Sequence, residues 1–215
     1  MSKETAGSDH IEAQEPGARE KILAAGLELF AARGYDAVTI REIAEAAGVN
    51  SAMIYYYFQD KEDLYRRLLD QVFAALMDNV RDTAAIEGSA DVVLRQLSRM
   101  YVSFLQANQS FIRLMRYELG RGGPYLPELA DKYFKQGFST VRTLIEQGIR
   151  QGEIRDIDPG LGVVSLLSML IFYFIGRPVL EHVVGPEGYS EEGIAAFLDH
   201  TLALVSHGLL HNPAE

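Results

Sequence analysis

Residues 39–61, TIREIAEAAGVNSAMIYYYFQDK, constrain this chain more than any other stretch, because helix starts and a helix stop occur there in close register. Thr39 and Glu42 have the spacing of a capping box, in which the threonine oxygen accepts from the Glu42 amide and the carboxylate accepts from the Thr39 amide. Ile40, Ile43, Ala44 and Ala47 then fall on one helical face, and Gly48 stands where a left-handed stop residue is wanted. Val49 is an apolar plug for the turn, and Asn50 is a good cap for the next helix. That second helix, 51–58, buries Ile54 and Phe58 and leaves Ser51, Ala52, Met53, Tyr55, Tyr56 and Tyr57 for other faces. Two short helices joined in this way make a helix-turn-helix whose second helix enters a DNA groove. The alternative is a helical hairpin inside an ordinary bundle.

Helical period continues on both sides. Ile22, Leu23, Leu27, Leu29 and Phe30 put a broad apolar stripe on a helix over 18–33, which Gly34 stops. Asp60 caps a fourth helix, with Glu62 and Asp63 in the first turn where the helix dipole favours acids. Its stripe runs through Leu64, Leu68, Leu69, Val72, Leu76 and Val80 to a break at 87–89. Further helices are expected over 91–107, 111–119, 129–150, 161–184 and from 190 to about 211, with 120–128 as a loop. No alternating β-branched run competes, so the fold class is all-α. The expected division is a disordered arm over 1–17, a helix-turn-helix domain over 18–66 and a larger helical domain over 67–215.

Charge and composition narrow the setting. With a formal net charge of −10 the chain is no general nucleic-acid binder. A specific one needs only a docking face that attracts phosphate, because charges beyond a Debye length of about 8 Å are largely screened. That face would carry Arg41, Lys61, Arg19 and Lys21. There is no cysteine, hence no disulfide and no thiolate metal site. The first residues lack an apolar signal core, and the longest apolar run, 161–175, is short of the about 20 residues a membrane helix needs. The expectation is a cytoplasmic protein without membrane contact.

The segment 18–69 resembles the DNA-binding domain of the TetR (tetracycline repressor) family. The resemblance rests on LELFAARGYDAVTI, EIAEAAGV, YYYF and DKEDLY standing together in register, with Ala52 and Met53 where the family often has Gly and Thr. It implies a three-helix DNA-binding domain joined to a helical ligand-binding and dimerisation domain. The partners it implies are a palindromic operator in double-stranded DNA, a small apolar or aromatic effector, and a second copy of the chain. Carried over residue by residue, Ser51, Ala52, Met53 and Tyr56 face bases, while Thr39, Arg41, Tyr55, Tyr57 and Lys61 hold phosphates. Family members pair two C-terminal helices per subunit into a four-helix bundle.

Catalytic motifs are missing from the sequence: no nucleophile elbow, no P-loop and no Gly-x-Gly-x-x-Gly element. Glu118 and Glu128 flank a loop and read as solvated. His200, His207 and His211 share a face of the last helix but lack an acidic co-ligand, so neither metal nor cofactor is expected. A ligand cavity is the better expectation, drawn from Phe104, Phe111, Met115, Tyr133, Phe138, Met169, Phe172 and Tyr173. The helix from 161 is apolar nearly all round, with small residues such as Ser165 and Ser168, and so needs covering on more than one side. The last helix offers a near-heptad seam, Leu198, Leu202, Val205 and Leu209, suited to a partner. The functional reading is a transcriptional repressor, not an enzyme. The rival from another class is a helical carrier or enzyme that does not bind DNA.

Overall fold

The computed structural model describes residues 17–209. The arm expected over 1–17, save Gly17, and the contacts expected of the His211 and Leu209 side chains lie outside the described residues. In chain order the helices are α1 (Ala18–Arg33), α2 (Ile40–Ala46), α3 (Ser51–Tyr57), α4 (Lys61–Ala84), α5 (Ala90–Ala107), α6 (Gln109–Gly120), α7 (Leu126–Leu129), α8 (Lys135–Arg150), α9 (Pro159–Ile175), α10 (Arg177–Val184) and α11 (Glu191–Leu209). A π-helical turn, Ala130–Phe134, links α7 to α8, and a 3₁₀ turn, Pro186–Tyr189, precedes α11. No strand occurs among the described residues, and no single helix there is long and apolar enough to cross a membrane.

Local chemistry accounts for several helix ends. The Thr39 oxygen accepts from the Glu42 amide at 3.3 Å, and Glu42 accepts from the Thr39 amide at 2.8 Å, closing the capping box. Gly48 takes φ +67°, a left-handed value that costs a residue without Cβ little. Asn50, Asp60, Asp158 and Ser190 each accept an amide proton in the first turn of α3, α4, α9 and α11.

Two boundaries differ from the sequence pattern. The helix expected over 161–184 is two helices, α9 and α10, bent by 78° at Gly176. Pro178 is the cause: it has no amide to continue the ladder, and its ring would collide with the carbonyl four residues back. The helix expected from 129 begins instead as α7 and passes through the π turn. That turn directs Lys132 and Tyr133 at Asp70 of α4, with contacts of 2.8 and 3.1 Å to Oδ1.

α4 joins the halves. It buries Leu64, Tyr65, Leu68 and Leu69 at the DNA-binding end and Phe73, Leu76 and Val80 further along. One apolar core runs without a gap from Ile22 to Leu202. The boundary drawn between 66 and 67 therefore falls inside a continuous helix. α6 lies along α1, so the larger domain grips the small one at a second place.

Candidate DNA-binding face and effector domain

α3 is anchored from below and open above. Ile54 is fully buried and Phe58, its C-cap, is 2% exposed, whereas Tyr55 and Tyr56 are 58% and 78% exposed. Ala52 is exposed and Ser51 and Met53 are half-buried, so the residues expected to read bases share the outward side with the tyrosines. Large exposed aromatic rings on a short helix have no role in the core below them, and they mark a contact surface.

Cations near this face divide into engaged and free. Arg41 is exposed on the first turn of α2, with no hydrogen bond or ion pair among the described residues. Arg33 donates to the Ala37 carbonyl and pairs with Glu42 at 2.8 Å. Hydrogen bonds from the Thr39 hydroxyl, then the Thr39 amide and Arg33, hold the Glu42 carboxyl down at about 2. Thr39 lies on the docking side, but its hydroxyl and amide both point at Glu42. Lys61, expected to hold a phosphate, is engaged within the protein. Its ammonium turns inward and donates to the carbonyls of Tyr35 and Val38 at 3.0 and 2.9 Å.

The residues expected to form one ligand pocket fall in separate places. Phe104, Phe111, Met115 and Tyr133 are buried in an aromatic cluster around Phe73, whose ring lies 5.0 Å from Phe111 and 5.9 Å from Tyr133. Phe138 is half-buried beside this core. Met169 instead lines a groove of about 540 Å³ between α9 and α11. Phe172 is 60% exposed on the outer side of α9. Tyr173 is stacked between Tyr189 and Phe197, at 4.6 and 3.8 Å, and its hydroxyl donates to the Gly188 carbonyl. Those contacts anchor the 3₁₀ turn. A helix that is apolar all round has no period that distinguishes its inner from its outer side.

The residues of the expected subunit seam are placed differently from one another. Ser165 and Ser168 do face outward on α9, in one row with Leu161, Val164 and Phe172. Leu198 and Leu202, at 9% and 3% exposure, fill this subunit's own core. Val205 and Leu204 both line the α9–α11 groove, and among the described residues Leu204 is a large side chain of α11 that is more than half exposed.

Glu118, expected to be solvated beside a loop, is corrected by its burial. It is fully buried in α6 and accepts from the Tyr65 hydroxyl at 2.5 Å, while its Oε2 has no partner among the described residues. Burial first, then Glu118, pushes the Tyr65 hydroxyl far up. Around this bond, α6 and the segment after it hold α1 and its following turn: Arg113 to Glu28, and Tyr117 and Arg121 to Asp36, at 3.2–3.3 Å. Glu128 pairs with Arg66 at 2.6 Å. No sequence pattern marks Glu118, because its partner lies 53 residues away.

An open helix-turn-helix face carried on a separate helical domain defines a DNA-binding regulator class. Residues 22–68 match the model of bacterial regulatory proteins of the tetR family, and residues 91–205 match the tetracyclin repressor-like C-terminal domain. The chain belongs to the TetR family, and it is a DNA-binding transcriptional regulator. Among its relatives, the fatty acid metabolism regulator protein of Bacillus subtilis is 25% identical over 89% of this chain and 95% of its own. The regulator RutR of Escherichia coli is 26% identical over 78% of each. The fold matches the fatty acid degradation regulator FadR of Bacillus halodurans with a TM-score of 0.75 at 20% identity, covering 93% of this chain and all of that one. It also matches FadR of Bacillus subtilis in complex with stearoyl-CoA, with a TM-score of 0.73 at 20% identity over 89% and 98% of the two chains.

Proposed function

We propose that the protein is a cytoplasmic homodimeric repressor that leaves a palindromic operator when its helical domain binds an apolar or aromatic small molecule. The exposed tyrosine face of α3 carries this reading. Each protomer lays α3 in a major groove, with half-sites one turn, about 34–36 Å, apart. Ser51, Ala52, Met53 and Tyr56 approach base edges. Arg41, Tyr55 and Tyr57 approach phosphates, together with the start of α2 that Thr39 caps. The outward row of α9, Leu161, Val164, Ser165, Ser168 and Phe172, pairs with its copy alongside Leu204 of α11, which covers apolar surface otherwise left in water.

Long-chain acyl thioesters are the first effector class to test, because two of the relatives above regulate fatty acid metabolism or degradation and the groove between α9 and α11 is lined mainly by apolar side chains. Gel shift against the DNA upstream of the protein's own gene, backed by selection from a randomised pool, tests DNA binding; failure of both overturns the reading. A ligand releases DNA only if it binds the DNA-incompetent arrangement more tightly. Operator must then weaken ligand binding by the same factor that ligand weakens operator binding, typically about 5–150-fold. Equal ligand affinity with and without saturating operator excludes the coupling.

A further inference from the structure

Lys61 is the first residue of α4, four residues beyond the end of the recognition helix. Its ammonium is part-buried and makes three contacts at once. It donates to the Tyr35 carbonyl at 3.0 Å and to the Val38 carbonyl at 2.9 Å, and it lies 4.2 Å from the centre of the Tyr35 ring. Val38 immediately precedes Thr39, the cap of α2. One side chain therefore ties the exit of the recognition helix to the entry of α2 across 23 residues of sequence.

The ring under Lys61 is itself held fast. Tyr35 stacks on Phe30 at 5.8 Å, meets Tyr65 edge-on at 4.9 Å and touches Tyr125 at 6.4 Å. Arg121 of the effector domain sits 5.8 Å from the same ring. Moving the ammonium out to a phosphate would remove its hydrogen bonds to both carbonyls and its place over the ring. A half-buried carbonyl stripped of its donor costs more than an exposed phosphate contact returns.

We infer that Lys61 is a positioning residue for operator recognition: its ammonium fixes α2 and α3 relative to each other and makes no phosphate contact. The inference rests on the DNA-binding reading, so wild-type operator binding is established first. Phosphate cations and positioning groups leave different signatures. A cation that touches phosphate contributes to operator and nonspecific DNA alike, through counterion release, and its loss lowers the magnitude of the salt slope by about 1. A positioning group contributes mainly where the two helices must fit one sequence.

The test compares Lys61→Met with Arg41→Gln in the full chain, on operator and on nonspecific duplex across a salt series. For Lys61→Met, operator affinity should fall on the order of tenfold or more, as expected when a charged donor leaves two carbonyls unpaired. Its nonspecific affinity and its salt slope should stay at wild-type values. Arg41→Gln should weaken both duplexes and lower the slope by about 1. A Lys61→Met variant that behaves like Arg41→Gln overturns the inference. Because the variant can also lose its fold, the wild-type lysine is read directly. Its ¹⁵N ammonium resonance should be observable and protected from exchange in free protein, and unchanged on operator binding. A signal that is absent in free protein and appears only with DNA overturns the inference as well.

Discussion

The DNA-binding head and the α9–α11 end of the molecule are both helical, yet they are specified in different ways. In the head, polar side chains act at single positions. Thr39, Asn50 and Asp60 each satisfy amides that a helix start leaves open, and each sits where its local sequence demands. At the other end, α9 holds apolar side chains on every side, and only tertiary packing selects which of them face the core. Polar caps encode position. Apolar surplus encodes burial without encoding direction. A sequence pattern is therefore reliable about where the head's helices begin and silent about which face of α9 or α11 looks inward.

That contrast can be broken most sharply on α11. Leu202→Glu places a carboxylate in the subunit's own core, where an unpaired charge costs several kcal/mol, and it should unfold the effector domain. Leu204→Glu, two residues on, projects outward; it should leave the thermal midpoint nearly unchanged while sedimentation shows monomers. If the two variants exchange these outcomes, the inner and outer faces have been read the wrong way round.

A smaller effect is expected in the head. Asn50→Ala removes the side-chain acceptor of the Met53 amide and should cost about 1 kcal/mol of stability, measured by denaturant unfolding. Loss of operator affinity should exceed what that instability explains, because the start of α3 is the end that meets the bases. An alanine variant with wild-type stability would mean that packing of Ile54 and Phe58 alone sets the helix.

The smallest effect is a pH dependence. Hydrogen bonds from Thr39 and the Arg33 guanidinium lower the Glu42 carboxyl from an ordinary 4.5 to about 2. A carboxyl depressed on folding stabilises the fold above its unfolded value and ceases to do so as pH falls through its folded value. The contribution is therefore present above 4.5 and fades between 4.5 and about 2. Thr39→Ala should flatten stability across that window by lowering the plateau above 4.5, where the contribution is fully present. An unchanged acid limb would show that the capping box does not persist in solution.

Much of the fold was legible beforehand. α1 begins and ends where its stripe and Gly34 place it, and the box at Thr39, the left-handed Gly48 and the Asn50 cap are all observed. Pro178 was equally visible, but a long apolar run hid its consequence, and α9 and α10 were read as one helix. Of the residues expected to meet DNA, Tyr55 and Tyr56 are more than half exposed, while Lys61 faces inward. A lysine at a helix start gives no local sign of whether carbonyls from an earlier turn wait beneath it.

The amino-acid sequence by itself determined the helices of the head, their caps and the family to which the chain belongs. Those features depend on contacts within a few residues, where side-chain type and spacing suffice. Tertiary structure alone decided that Glu118 is buried against Tyr65, that Lys61 bridges to Tyr35 and Val38, and that Leu204 rather than Leu202 looks outward. Each of these joins or separates residues distant in the chain, and their energies come from burial and desolvation, which no local pattern carries.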